Sequence, residues 1–259
     1  MNIVLAIASV VIKEMYRRKD FYVLFVLTAL ITLLSGSVNF FGDDKIVRYV
    51  KEICLLMIWV SSLVIAVGPA ARQIPAEREN RTIFPLLAKP VTRAQFILGK
   101  YLGCWAVAGI SLLVLYVFFG VVSGWREQHW PVGQFVQAAI LHWMMLAIVI
   151  AMVLLGSVVF SAPSVNWTVA LIMVMGILFL GEHLNKVAGR MSAPTGTVLS
   201  VIYYLIPHLE WYDIRDLLVY NQKLVPAWAF SLAGVYAAVY TAFFLTATWM
   251  VFRRKPLSV

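Results

Sequence analysis

The chain has 259 residues, of which 62% are hydrophobic and 13% are charged, whereas a soluble domain is ordinarily about 45–50% apolar and about 25% charged. The apolar residues fall in long unbroken runs, so the composition excludes an ordinary soluble domain and predicts an all-α integral membrane protein. A net charge of +9 can also mark a nucleic-acid-binding surface, but membrane topology accounts for it here, and we expect no nucleic-acid partner.

Residues 1–19 are predicted to form an interfacial helix on the cytoplasmic side of the membrane. The apolar run 3–12 is similar to a signal peptide, but it lacks a basic start and a small-residue cleavage site. Lys13, Glu14 and Arg17 instead give the segment a charged end that suits lipid headgroups. The alternative is a simple extension of the first span.

Six apolar runs are long enough to cross a hydrocarbon core about 30 Å thick, which needs about 20 residues of helix. They lie at residues 21–38, 53–71, 101–123, 135–162, 165–181 and 227–252. Because backbone polar groups cannot stay unpaired in lipid, each run is predicted to be a transmembrane helix. The whole chain, 1–259, is therefore predicted to be a single transmembrane domain in contact with lipid.

The distribution of basic residues predicts the orientation. In a six-span topology the N-terminal segment, the loop at 72–100 and the C-terminal tail share one side. That side holds 13 of the 21 basic residues but only four of the 12 acidic ones. Because cytoplasmic loops carry the excess of Lys and Arg, we expect both termini and the loop to be cytoplasmic, in the cell (inner) membrane. Residues 182–226 are then extracytoplasmic.

The loop at 72–100 carries its own helix signals. Thr92 and Gln95 form a Thr-x-x-Gln capping box, so Thr92 is predicted to begin the third spanning helix. Pro90 ends whatever precedes it, and Thr82 can cap a short upstream helix with Pro85 in its first turn. This short helix presents large apolar residues in a rim of charge, which is typical of a partner-binding surface. An anchor lying in the headgroups has the same pattern.

The predicted spans have no Asp, Glu, Lys or Arg deep inside them. Ion-coupled transporters usually place such groups near the membrane midplane, so the sequence does not favour secondary transport. His142 is the one imidazole within an apolar run, and we expect it to be hydrogen-bonded to a neighbouring helix rather than to relay protons.

Residues 182–226 contain the run 198–207, which is too short to cross and is predicted to be a re-entrant or interfacial helix before the sixth span. Tyr203, Tyr204, Trp211 and Tyr212 suit an aromatic belt at the headgroups. The alternative is an extracytoplasmic contact with a substrate or an accessory protein, made by Tyr204, His208 and Trp211.

An enzyme would have to use this outer face, where potential metal ligands are His129, Glu182, His183, His208, Glu210 and Asp213. The sequence has neither an HExxH pair nor a GxSxG nucleophile elbow. No catalytic residue and no metal site are therefore predicted.

The loop also resembles part of a known family. The cytoplasmic loop of ABC type-2 permeases, the membrane subunits of ATP-driven exporters, is similar to the pattern formed here by Glu77, Glu79, Thr82, Leu86, Leu87, Lys89, Pro90, Arg93, Gly99 and Lys100. Arg81 departs from the pattern, since many members have Gly there, and Pro85 is unusual in the short helix. The N-terminal helix and the segment before the last span are also similar to that family. The outer stretch LIPHLEWYDIRD is most similar to permeases that serve the maturation of copper enzymes.

The resemblance implies a coupling helix within residues 77–93 that sits in a cleft of a separate ATPase subunit. The contact residues that it implies are Glu77, Glu79, Arg81, Thr82, Ile83, Phe84, Leu86, Leu87, Lys89 and Arg93. It further implies a permease homodimer with the substrate path between the copies, and two ATPase copies that bind ATP and Mg. This chain has no GxxxxGK[ST] phosphate loop, so we expect it to hold no cofactor and to be no enzyme by itself. The alternative is a membrane protein not driven by ATP: a channel, a secondary transporter or an assembly scaffold.

Overall fold

The computed structural model describes residues 3–17, 22, 25–26, 28–30, 32–33, 44–80, 91–191, 194–220 and 223–255. Its helices are α1 (Ile3–Tyr16), α2 (Asp44–Glu79), α3 (Arg93–Glu127), α4 (Val132–Val159), α5 (Pro163–Ala188), α6 (Thr195–Leu205), α7 (Arg215–Val219) and α8 (Ala227–Arg254). A 3-10 helix at Leu209–Tyr212 separates α6 from α7. The all-α prediction is confirmed for this part of the chain, because every regular element described in it is helical.

Among the described helices, four are long and apolar enough to cross a membrane, judged by length and composition. They are Arg48–Glu79 in α2, Arg93–Trp125 in α3, Val132–Val159 in α4 and Ala227–Arg254 in α8, and they correspond to the second, third, fourth and sixth predicted spans. The fifth, 165–181, lies in α5, whose described apolar part Pro163–Phe179 is shorter. Most of the first, 21–38, lies outside the described residues, so the number six stays a prediction.

The helices around the 72–100 loop extend further than predicted. α2 continues beyond residue 71 to Glu79 and passes through Pro69 and Pro75. A proline removes one backbone donor, and packing of the surrounding turns against neighbouring helices can hold such a helix together. The fourth span is also displaced from its predicted bounds, 135–162, because Pro163 begins α5 and favours an extended conformation in the residues before it.

The predicted start of α3 is confirmed. The Gln95 amide N–H donates to Thr92 Oγ1 at 3.2 Å, and the Thr92 amide N–H donates to Gln95 Oε1 at 3.0 Å. These reciprocal hydrogen bonds satisfy two backbone donors that a helix start otherwise leaves without partners.

α4 lies at the centre of the bundle, in contact with α2, α3, α5 and α8. Residues 145–154 of α4 are all buried, over more than two full turns. A helix that is apolar all round is expected to have neighbours on every side, and α4 is packed in that way.

Two glycines allow α1 to lie directly against α3. A Cβ atom at Gly99 would be 2.6 Å from the Cβ of Ile7, and one at Gly103 would be 2.6 Å from the Cβ of Val11. The four-residue spacing recurs on both helices, so they run alongside each other for at least one turn. The helix predicted within residues 1–19 is therefore present at Ile3–Tyr16, while its place at a membrane interface stays a prediction.

The bundle has two ends. The end formed by residues 74–80, 91–100, 158–159 and 252–255 is called the loop face below. The end formed by α6, the 3-10 helix and α7 is called the opposite face. The predicted short helix at 198–207 corresponds to α6, and the first part of the predicted 182–226 segment is the last turns of α5.

Candidate functional site

Three of the ten residues predicted to contact an ATPase lie at the loop face. Glu77 and Glu79 belong to the last turn of α2, and Arg93 is the first residue of α3. The other seven lie outside the described residues: Arg81, Thr82, Ile83, Phe84, Leu86, Leu87 and Lys89. The structure thus describes the two helix ends that flank residues 81–90, while the coupling helix itself stays a prediction.

A buried ion pair joins the end of α2 to α3. The Lys100 ammonium contacts the Glu77 carboxylate, and the two side chains are 4% and 18% exposed. The same ammonium lies 5.7 Å from the centroid of the Phe96 ring, within the range of a cation–π contact. The pair therefore joins the last turn of α2 to the second turn of α3 through two largely buried charges.

Arg93 connects the start of α3 to the end of α8. Its Nη1 donates to the carbonyl oxygens of Phe252 at 2.5 Å, Arg253 at 3.0 Å and Lys255 at 3.3 Å. The guanidinium carbon also lies 5.3 Å from the centroid of the Phe252 ring. The last carbonyls of a helix lack partners within the helix and carry partial negative charge, so a cation from another helix satisfies them well.

Lys255 makes the corresponding connection from α8 to α4. Its Nζ donates to the carbonyl oxygens of Val158 at 2.7 Å and Val159 at 3.1 Å, in the last turn of α4. Burial, and then the nearby positive charge of Arg78, lower the pKa of Lys255 below its ordinary value of 10.5. The loop face therefore has two cations that each bind the carbonyl end of a different helix.

An apolar cluster lies beneath these polar contacts. Phe96 of α3 stacks on Phe252 of α8 with 5.9 Å between ring centroids, and neither side chain is exposed. Ile74, Ile97 and Val158 complete this cluster, which draws on α2, α3, α4 and α8. The four helix ends thus share both an apolar contact and polar connections.

His142 lies in the middle of α4 and is buried. Its Nε2 is 2.8 Å from Ser62 Oγ on α2, and its Nδ1 is 3.4 Å from the Tyr116 hydroxyl on α3. Since the Ser62 hydroxyl donates to the Trp59 carbonyl oxygen, we assign the imidazole proton to Nε2, with Nδ1 as acceptor. The prediction that His142 bonds to neighbouring helices is confirmed.

At the opposite face, His208 is enclosed by aromatic rings. Its ring centroid lies 4.4 Å from that of Tyr203, 4.9 Å from that of Trp211 and 6.3 Å from that of Tyr236. His208 Nδ1 is 3.2 Å from Glu210 Oε1, and the His208 amide N–H donates to the Tyr236 hydroxyl at 2.9 Å. The His208 side chain therefore holds the segment together and offers little free surface.

Two of the three residues predicted to contact a substrate or accessory protein are accessible. Tyr204 is 71% exposed and Trp211 is 51% exposed, whereas His208 is 6% exposed. The structure brings the three residues into one aromatic cluster, with Tyr203 between Tyr204 and His208. Any role of this cluster in recognition stays a prediction.

The opposite face is fastened to the bundle by further contacts. Asp213 accepts hydrogen bonds from Arg215 at 2.8 and 2.6 Å, which raise the pKa of Arg215 above its ordinary value. The Arg215 guanidinium carbon lies 5.5 Å from the centroid of the Trp59 ring on α2. The Tyr212 hydroxyl donates to the Ala233 carbonyl oxygen on α8 at 2.8 Å. These contacts hold the segment against α2 and α8.

The potential metal ligands do not converge in the described part of the chain. There, no group of three or more His, Cys, Asp and Glu residues is placed to hold a metal ion. Asp213 is paired with Arg215, and His129 and His183 are exposed. Of the six ligands considered from sequence, His208 and Glu210 meet, and the Glu182 side chain lies outside the description.

Sequence reasoning missed several residues that the structure brings into these sites. Lys100 belongs to the family-like pattern, yet nothing in the sequence pairs it with Glu77. Lys255 is an ordinary tail lysine in the sequence, and its contact with α4 depends on the packing of α8. Tyr236 and Tyr240 do carry a signal, because a four-residue spacing on α8 places both rings on one face.

Comparison with known protein families gives a match over almost the whole chain. A family model described as "ABC-2 family transporter protein" matches residues 5–257. The match includes the loop face, the central helix α4 and the opposite face. A search of curated proteins gave no match.

Proposed function

The chain belongs to the ABC-2 transporter family and is a membrane component of an ABC transporter; on that premise we propose that it is the permease subunit coupled to a separate ATPase. Two copies of the permease form a homodimer, the substrate crosses between them, and two ATPase subunits drive export. The family match over residues 5–257 is the observation that carries the proposal.

The loop face supports the placing of the coupling segment at residues 77–93. The long helices α2 and α3 flank this segment, and the Glu77–Lys100 pair joins the two helices where the segment begins. At its other end, Thr92 and Gln95 cap α3. When both ends of a segment are fixed to the bundle, a displacement imposed on the segment by a partner moves the attached helices.

The apolar residues of the segment supply the contact itself. Ile83, Phe84, Leu86 and Leu87 form its apolar part, and Glu79, Arg81 and Lys89 flank it. A cleft in the ATPase that covers these residues gains the free energy of burying apolar surface, with charges at the rim. ATP and Mg bind to that subunit, since this chain lacks a phosphate-loop sequence.

The basic excess sets the orientation that this assembly requires. We place the loop face and both termini in the cytoplasm, where the ATPase is found. The opposite face is then extracytoplasmic, and its exposed Tyr204 and Trp211 offer aromatic surface to an accessory protein.

The proposal is tested by charging the apolar part of the segment. Burial of each Phe or Leu side chain contributes about 1.5–3 kcal/mol, so Phe84→Asp with Leu87→Asp is expected to remove at least about 3 kcal/mol of binding energy. At about 1.4 kcal/mol per tenfold change, the ATPase then binds about a hundredfold more weakly or worse. The measurement is co-purification and titration of the ATPase, in detergent and in lipid.

The matched control places two aspartates on the opposite face. Tyr220 and Leu224 are 55% and 53% exposed there, so Tyr220→Asp with Leu224→Asp is expected to leave ATPase binding unchanged. If the Phe84 and Leu87 variant holds its ATPase with wild-type affinity, the segment is an interfacial anchor. If no ATPase binds even the wild type, the chain works without ATP.

A further inference from the structure

The connections at the loop face run beyond the two helices that carry the coupling segment. Arg93 is the first residue of α3, and three backbone carbonyls at the end of α8 accept hydrogen bonds from its Nη1. In sequence these carbonyls are about 160 residues away from Arg93, so the contact is wholly tertiary. The start of α3 cannot move away from α8 unless these bonds break.

The same arrangement is repeated between α8 and α4. Lys255 follows directly after α8 and donates to the last two carbonyls of α4. The three helix ends therefore form a series in which α3 binds α8 through Arg93 and α8 binds α4 through Lys255. Each connection joins a cation to the negative end of a helix, which gives it direction and strength.

We propose that Arg93 and Lys255 are positioning residues that carry a displacement of the coupling segment from α3 to α8 and on to α4. The proposal rests on the function proposed above, and it gives Arg93 a role within the chain in place of contact with the ATPase. The guanidinium is already engaged by Phe252, both through its carbonyl oxygen and through its ring.

The packing around the two cations supports a moving unit rather than a loose contact. Phe252 and Phe96 are stacked and fully buried, so the end of α8 and the first turn of α3 share an apolar contact as well as polar ones. Close-packed interiors resist deformation, and a shift of α3 is therefore passed on as a rigid-body movement.

The test measures helix-to-helix distances in the complex with the ATPase. Spin labels are placed at exposed positions, Leu98 on α3, Met250 on α8 and Val159 at the end of α4, after the two buried native cysteines are replaced by serine. Two label pairs, 98–250 and 159–250, are measured with and without a nonhydrolysable ATP analogue. In the wild type we expect both distances to stay constant on nucleotide addition, because the three ends move together.

The variants separate the two connections. With Arg93→Ala, nucleotide should increase the mean 98–250 distance by roughly 1–2 Å, the scale of helix shifts in such transitions, while the 159–250 distance stays constant. With Lys255→Ala, nucleotide should increase the 159–250 distance and leave the 98–250 distance constant. Arg93→Lys keeps a cation near the carbonyls and should restore most of the wild-type behaviour, and Arg254→Ala, an exposed neighbour in the same tail, is the control.

Any other result contradicts the proposed transmission of movement through Arg93 and Lys255. If the distances in Arg93→Ala and Lys255→Ala stay constant with nucleotide although the ATPase binds, the cations do not transmit movement, and the proposed function still stands. If the distances have already changed without ATPase and nucleotide, the cations are structural caps only. If Arg93→Ala folds but loses the ATPase, Arg93 is a contact residue. If the wild type binds no ATPase, the proposed function fails first.

Discussion

The buried pair of Glu77 and Lys100 yields the sharpest prediction for stability. Glu77→Gln removes the carboxylate and leaves the Lys100 ammonium in a site where the side chain is 4% exposed. Lys100→Met removes the other partner and leaves Glu77, which is 18% exposed and closer to solvent. The two single substitutions should therefore both destabilise the fold, and Glu77→Gln should do so more strongly.

The magnitude follows from the burial of the partner left behind. Breaking a buried pair by removing one partner typically costs about 3–5 kcal/mol. We expect about 3–5 kcal/mol for Glu77→Gln and about 1–3 kcal/mol for Lys100→Met, since the Glu77 side chain is more exposed than that of Lys100.

The double variant distinguishes the ion pair from its surroundings. Replacing a buried pair by apolar side chains of similar volume is often neutral or stabilising, so Glu77→Met with Lys100→Met should lie within about 1 kcal/mol of the wild type or above it. The assay is reversible unfolding in mixed detergent micelles, followed by tryptophan fluorescence, with exposed Glu79→Gln as the control. A double variant that is as unstable as Glu77→Gln, or single variants as stable as Glu79→Gln, would refute the reasoning.

Two further predictions concern helix packing. Gly103→Ala should destabilise the fold by about 1–3 kcal/mol because its Cβ would lie 2.6 Å from Val11 Cβ. Gly176→Ala is the control, since a Cβ there would have nothing within 4 Å. Thermal unfolding compares the two variants, and equal stability would contradict the packing of α1 on α3. His142→Ala should lower the free energy of unfolding by about 1–3 kcal/mol because the buried Tyr116 hydroxyl loses its acceptor. The variant should leave the ATP hydrolysis of the complex unchanged. Loss of hydrolysis in a well-folded His142→Ala variant would contradict a purely structural role for His142.

The sequence predicted the fold class well because the signals involved are local. Long apolar runs predict helices in lipid whatever their neighbours are, and four of the six runs correspond to helices of spanning length. The Thr92 and Gln95 box is equally local and is confirmed atom by atom. Helix ends were less predictable, since α2 runs through Pro69 and Pro75 to Glu79, beyond the last apolar residue of its span.

The connections within the site could not be predicted, because they depend on which helices are neighbours. Residue spacing does not reveal that Lys100 faces Glu77, or that Lys255 reaches the end of α4. The bonding of His142 was predictable in kind, as a polar side chain in an apolar run must find a partner. Its actual partners, Ser62 and Tyr116, come from α2 and α3 and required the packed structure.

The charges at the loop face carry more than one kind of information. Arg93, Lys100 and Lys255 are among the 13 basic residues whose distribution predicts a cytoplasmic side. In the structure all three are used within the chain, two on helix carbonyls and one on a carboxylate. A count of positive charge does not distinguish a cation that marks topology from one that binds a neighbouring helix. A charge-reversal scan of this face should therefore weaken the packing of the bundle at these three positions, and at exposed positions such as Arg254 it should act on orientation and surface alone.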